Sequence, residues 1–183
     1  MGRVAILIDG GYLDKVMQNE FTGKKIDYSK LPGRIQQMIT DSSVFRSYYF
    51  HCPPYQDNVP TPEQTERFSR KEKFFAMLRK LPRYEVKLGY LAKRGGNGTP
   101  IKYEQKMVDM LLGLEMVHLS AKGQINHIAI IAGDSDFVPA IKMAKEDGVD
   151  VFLFHGDSCH HELLQNADER YKIDDAFIDS VVL

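Results

Sequence analysis

The chain has 183 residues, 43% hydrophobic and 27% charged, with a formal net charge of −1. These values exclude a disordered or fibrous chain and suggest one globular domain over residues 1–183, long enough to bury a core. No apolar run approaches the ~18 residues of a membrane span, and two cysteines, Cys52 and Cys159, are too few for a disulfide framework, which fits a reducing cytoplasm.

The opening MGRVAILIDGG lacks the small-residue cleavage pattern of a signal peptide, and Ile6 stands where myristoylation requires Ser or Thr. RVAILID (3–9) is a short apolar run ended by two glycines and reads as a buried strand. Helical patterns follow at 11–20 and 27–40, the second with Pro32 near its start. VFRSYYFH (44–51) is β-branched and aromatic, hence a strand. A Pro-rich loop (52–62) leads to a helix over 63–81, with Phe68, Phe75 and Leu78 on its buried face. YEVKLGYLAK (84–93) alternates like a strand, RGGNGTP (94–100) reads as a flexible loop, and 102–120 as a helix. A strand at 126–132, a helix at 136–147 closed by Gly148, a strand at 149–155 and a helix at 158–168 complete the pattern. The tail AFIDSVVL is ambiguous, with the makings of an extra strand or a homo-oligomer interface. Strands alternate with helices almost throughout. This predicts an α/β three-layer sandwich around a mainly parallel five-stranded sheet, for which 3-2-1-4-5 is a leading strand order.

Charge is unevenly distributed. Residues 67–106 carry 12 Lys/Arg against 3 Asp/Glu, whereas 146–179 carry ten acids against Arg170 and Lys172. Solvated helix faces of different sign account for such blocks, and so does a basic half that meets a polyanion.

In an open parallel sheet, ligands bind beyond the carboxyl ends of the strands. Asp9 ends the first strand, and Asp134 and Asp136 follow the fourth in GDSDF. With the first and fourth strands adjacent, Asp9 and Asp134 face one another across a single gap. Each acid also has a plain structural use. Asp134 or Ser135 can cap the next helix, Asp136 suits its first turn, and Asp9 can bond within its turn. Together, however, converging carboxylates repel unless protonated or neutralised, and an all-oxygen set suits Mg²⁺ or Mn²⁺. Asp109 stands in the apolar run KMVDMLLGLEM, where an unpaired carboxylate is costly to bury. On a helix it shares a face with Lys106 and Gly113. It either pairs with Lys106 or reaches the same acidic mouth, with Gly113 leaving room for a neighbouring backbone.

ILIDGGYL, KMVDMLLGLEM and IAIIAGDSDFVPAIKMAKEDGVDVFLF, in that order and spacing, resemble the NYN domains (LabA-like) of the PIN-like nuclease superfamily over nearly the whole chain. The resemblance implies a Rossmann-like sheet and a Mg²⁺- or Mn²⁺-dependent ribonuclease, an endonuclease leaving 5′-phosphate ends. It implies that Asp9, Asp109, Asp134 and Asp136 form the acidic catalytic and metal-binding set. Family members often have Asn after the first Asp, where this chain has Gly10 and Gly11. The family also includes members with no demonstrated nuclease activity, so a non-catalytic RNA-binding or regulatory module is the alternative. A haloacid-dehalogenase-like phosphatase needs a second Asp two residues after the first, and Gly11 stands there instead.

An RNA partner gives the basic segment a use. Lys93, Arg94 and Lys102 flank the glycine loop and can track phosphates, as can Arg67, Arg70, Lys71 and Lys73 on one helix. Lys106 can contact a phosphate or orient Asp109, and Ser135 can hydrogen-bond a ligand or, preferably, cap the helix. Tyr48, Tyr49, Tyr55, Tyr90 and Tyr103 are candidates to stack on bases, with Tyr55 and Tyr103 favoured by their nearness to loops. His51-Cys52 and Cys159-His160-His161 fit no standard zinc spacing, although the two histidines, expected near the acidic mouth, can contact substrate there.

Overall fold

A computed structural model of the protein describes residues 1–96 and 98–183. Its centre is β1 (Gly2–Asp9). Val4, Ile6 and Ile8 pack into one core cluster, while Ala5 and Leu7 pack into the other, on the opposite face of the sheet. The two-residue period of a strand therefore explains why the run is apolar throughout: both faces are covered.

β2 (Ser42–His51) and β3 (Tyr84–Leu88) extend the sheet to one side, and β6 (His127–Ile131), β7 (Asp150–His155) and β8 (Glu169–Lys172) to the other. The order is β3-β2-β1-β6-β7-β8, and every pairing is parallel. The α/β architecture with its parallel sheet is as expected, and the five predicted strands lie in the expected sequence. The sheet nevertheless has six strands rather than five, because Glu169–Lys172 pairs beyond β7.

Helices α1 (Gly10–Glu20), α2 (Leu31–Met38), α3 (Pro62–Lys80) and α7 (Asp175–Asp179) contribute to the first core cluster. Helices α4 (Val108–Ala121), α5 (Val138–Glu146) and α6 (His161–Asn166) contribute to the second. Gly148, at φ +78°, closes α5 by donating its N–H to the Lys145 carbonyl. The tail contributes α7, and Val182 then bridges Ile26. Among the described residues, no helix is long and apolar enough to cross a membrane.

The main departure from expectation lies between 84 and 107. The predicted strand over 84–93 divides at Gly89 into β3 and β4 (Tyr90–Gly96), and β4 pairs antiparallel with β5 (Thr99–Lys106) in a separate two-stranded sheet. Residues 102–106 are therefore strand, not helix, and α4 begins only after Met107. The predicted loop over 94–100 is mostly strand ends, apart from Asn97, which lies outside the described residues. Gly89 is pressed against the Lys106 carbonyl and Val108, so a Cβ there would collide with backbone. Met107 turns the chain from β5 into α4 at φ 71°, a left-handed conformation that strains a non-glycine residue.

The two charge blocks include opposite edge strands of the sheet, the basic one β3 and the acidic one β8 with β7 beside it. Gly89→Ala is expected to destabilise the protein by about 1–3 kcal/mol, the usual cost of forcing an atom into packed surroundings. Denaturant unfolding of wild type and variant checks this. Equal midpoints and slopes contradict it.

Candidate active site

The neighbouring strands β1 and β6 both end at the carboxyl edge of the sheet. Asp9 is the last residue of β1 and caps α1, its Oδ1 accepting from the Tyr12 N–H at 3.0 Å. Asp134 follows β6 and caps a short 3-10 turn (Ser135–Phe137), accepting from the Asp136 N–H at 3.1 Å. The cap is thus Asp134, and the expectation that Ser135 serves as cap is corrected. Asp109 enters from the first turn of α4. Asp9, Asp109 and Asp134 line one cavity of about 290 Å³ together with Gly11, Tyr12, Lys15, Gly133, Ser158 and His160. Asp136 is exposed beside this cavity rather than in its wall.

Burial raises the Asp9 carboxyl from its ordinary value of 3.8 to about 6, and the charge of Asp109 adds to the effect against the lowering hydrogen bond from Tyr12. Asp109 is also raised, by desolvation first and then by the charges of Asp134 and Asp136, while Lys15 opposes the rise. All four predicted acids therefore share one electrostatic neighbourhood. The donor set is all oxygen and over-negative, which suits a hard divalent cation by ligand type and charge. As the side chains stand, no group of three or more His, Cys, Asp or Glu among the described residues is arranged to hold a metal ion.

The predicted cations are placed differently. Lys106 is at the end of β5, not on the helix of Asp109, and pairs with Glu104 at 2.7 Å. The Lys106–Asp109 helix pair is thereby corrected. Gly113 faces α5, where a Cβ would meet the Ala140 Cβ at an ordinary 3.8 Å, so no close backbone approach requires it. Lys93 pairs with Asp57 at 2.9 Å and Arg94 with Glu104 at 3.6 Å, and Lys102 stands opposite Arg94 in the hairpin. None of Lys93, Arg94, Lys102, Lys106 and Ser135 is in the wall of the acidic cavity. On α3, Lys71 is held by Asp14 at 2.8 Å and Arg70 by Glu66 at 2.6 Å. Tyr48 and Tyr49 are core residues.

Several site residues were not singled out from sequence. Tyr12 lies against Gly133, where any Cβ would strike its ring, and its hydroxyl accepts from the Gly156 N–H at 3.0 Å. Tyr12 thereby ties the start of α1 to the loops after β6 and β7. The His160 N–H donates to the Gly133 carbonyl at 2.9 Å, closing the same ring of loops. Lys15, one helical turn beyond Gly11, brings the cation nearest in effect to Asp109. The signal for both side chains was helical spacing after Asp9: positions 12 and 15, three apart, share a face in the first turns after the cap. Gly10 also has a structural explanation. It is buried against Tyr49 and His51, and a Cβ would overlap the Tyr49 ring. His51 is in turn buried and bonded to Asp14 at 3.0 Å, and β2 and β7 are separated by two strands, so the His51 and Cys159 groups do not combine.

A carboxyl whose folded pKa is raised opposes folding once it ionises. The stability linked to the protonated form is complete below pH 3.8 and lost as pH rises through about 6. Asp9→Asn keeps the helix cap and removes this charge. With chelator present, it is expected to stabilise the protein near pH 7.5 by up to about 3 kcal/mol, the equivalent of the distance from 3.8 to about 6. The gain is expected to vanish near pH 4. Denaturant melts at both pH values check the sign, and destabilisation at neutral pH contradicts it.

Two solved structures share low similarity with the chain. MurG of Acinetobacter baumannii aligns at 12% identity and a TM-score of 0.42, covering 94% of this chain and 42% of that one. Phytolacca americana UGT2, complexed with UDP-2fluoro-glucose and pterostilbene, aligns at 12% identity and a TM-score of 0.32, covering 85% and 30%. The chain thus spans less than half the length of either structure. No curated protein matches it. The NYN domain pattern, in contrast, matches residues 3–174, from the first residues of β1 to the end of the sheet, and the chain belongs to the NYN domain family.

Proposed function

We propose that this chain is a LabA-like NYN ribonuclease of the PIN-like superfamily that hydrolyses RNA phosphodiester bonds, as an endonuclease, with Mg²⁺ or Mn²⁺. The observation that carries the reading is the convergence of Asp9, Asp109 and Asp134 on one cavity, with Asp109 raised by burial and by its acidic neighbours. A fold that holds carboxylates against their own repulsion gains from a cation between them.

Asp9, Asp109 and Asp134 would hold the ion, with Asp136 reaching it directly or through water. A bound Mg²⁺ or Mn²⁺ supplies an activated water at neutral pH and stabilises the leaving oxygen. The chain's own groups do the rest. The Tyr12 N–H fixes one oxygen of Asp9, and the Asp136 N–H fixes one of Asp134, so each carboxylate has a set orientation. Lys15 offers a cation at the same cavity for a phosphate oxygen, and Ser158 and His160 offer hydrogen-bonding groups on the opposite loop. Arg94, Lys102 and Lys106 on the hairpin bind the RNA outside the acidic cavity, Lys93 is engaged by Asp57, and Ser135 stands beside the acids.

The second reading is an RNA-binding or regulatory module without catalysis. It is favoured by the lack, among the described residues, of three His, Cys, Asp or Glu side chains arranged to hold an ion.

Single-stranded and structured RNAs incubated with Mg²⁺, Mn²⁺ or EDTA separate the two. Cleavage is expected with either ion and none with EDTA. Loss of an outer-shell partner of a metal costs about 10–100-fold, so Asp109→Asn and Asp134→Asn, at direct ligands, are expected to lower the rate at least about a hundredfold. RNA bound but intact with Mn²⁺ favours the module. Equal cutting by wild type and Asp134→Asn places the activity elsewhere.

A further inference from the structure

We infer that the outer face of the β4–β5 hairpin is a single-strand RNA track, with Tyr90 as the base-stacking platform beside the reacting phosphate. The inference rests on the proposed nuclease reading for the position of that phosphate. It differs from the sequence expectation, which favoured Tyr55 and Tyr103.

Directly opposed residues of an antiparallel pair project from the same face. The pairs Tyr90–Lys106, Ala92–Glu104 and Arg94–Lys102 therefore share one face, and the pair Lys93–Tyr103 belongs to the other. On the second face Tyr103 and Ile101 are as exposed as Tyr90, at 51% and 52%, but its ring and its cation are engaged by the chain itself. The Tyr103 ring packs on Tyr55 with centroids 5.1 Å apart, Lys93 lies over Tyr55 at 5.4 Å and bonds Asp57 at 2.9 Å, and Leu91 packs against the core. The first face is open: Tyr90 is 53% exposed, and Arg94 and Lys102 are exposed near the tip.

This open face carries three cations, one aromatic ring and one acid. Glu104 lies between Lys106 and Arg94 and pairs with both, at 2.7 and 3.6 Å. Lys106 holds it below the ordinary Glu range, so it stays ionised. It spaces the two cations and leaves the face positive by two charges. From the Tyr90–Lys106 pair to Arg94–Lys102 is four residues, about 14 Å of strand.

The track leads to the acidic cavity because of Gly89. Gly89 is wedged against the Lys106 carbonyl and Val108, which fixes Tyr90 next to the start of α4, and Asp109 is the following residue. A ribbon two strands wide, with cations along it and a free ring at its root, suits a flexible strand whose bases are unpaired. A duplex keeps its bases stacked internally and offers Tyr90 none.

Fluorescence anisotropy in EDTA, with an unstructured RNA and an RNA duplex of equal length, tests the assignment, beside a cleavage assay with Mn²⁺. Tyr90→Ala is expected to weaken single-strand binding about tenfold, Tyr90→Phe to retain it, and neither to change duplex binding. The Arg94→Gln/Lys102→Gln double variant is expected to reduce the salt slope by about 1.4, from ~0.7 per single-strand phosphate contact. If the wild type cleaves RNA while Tyr90→Ala and the double variant bind and cleave as it does, the hairpin assignment is wrong and the nuclease reading stands. If the wild type binds RNA through these residues but cleaves none, the hairpin assignment stands and the nuclease reading fails. A wild type that binds no single-stranded RNA overturns the assignment outright.

Discussion

Two parallel strands that lie side by side must end at the same edge of their sheet, and here both ends deliver a carboxylate. Asp9 closes β1, Asp134 follows β6, and α4 brings Asp109 to the same cavity. None of these groups is neutral in its effect on the others: Asp109 is raised by burial and by Asp134 and Asp136, and Asp9 by burial and by Asp109. The alternation of strand and helix thus leads directly to an electrostatic cost. The surrounding elements are arranged to sustain that cost.

Both capping acids spend one oxygen on a backbone N–H, which fixes them while leaving a second oxygen for other partners. Tyr12 braces the ring of loops by bonding Gly156 and packing over Gly133. Behind the first helix, Asp14 joins His51 and Lys71. Burial alone would raise this carboxyl, but the hydrogen bond from His51 and the proximity of Lys71 more than reverse that. One acid of α1 is thus neutralised within the chain. Among the described residues that line the cavity, Lys15 is the one Lys or Arg, and it opposes the rise of Asp109, while His51 bears on Asp9. That contrast distinguishes a carboxylate used to hold helices together from carboxylates that the chain leaves largely unneutralised.

Much of this was legible in the residues. A strand buried on both faces is apolar at every position, so RVAILID and HIAII declared themselves, and the adjacency of Asp9 and Asp134 followed from ordinary winding of the sheet. The hairpin was not legible. TPIKYEQK has charged residues at spacings compatible with a helix and only two apolar residues in alternation, Ile101 and Tyr103, too few to declare a strand. What decides its state is a partner strand across a glycine turn and the wedge at Gly89, both set by tertiary contact. The same error put Lys106 on the helix of Asp109. Four polar residues, ERYK, gave no sign of β8, whose pairing with β7 comes from the sheet rather than from local preference. Tyr12 went unnoticed because its role depends on two glycines more than 100 residues away.

On the proposed function, the acidic cavity is destabilised by its own charge and relieved by a divalent cation. Carbon-detected NMR titration of the aspartate carboxyls, with and without Mg²⁺, measures this at the atoms concerned. Asp9 is expected to titrate near 6 in metal-free protein and Asp109 above the ordinary carboxylate range, and both to fall when Mg²⁺ is added. Ordinary values for both without the ion, or titration curves that Mg²⁺ leaves unmoved, would contradict it.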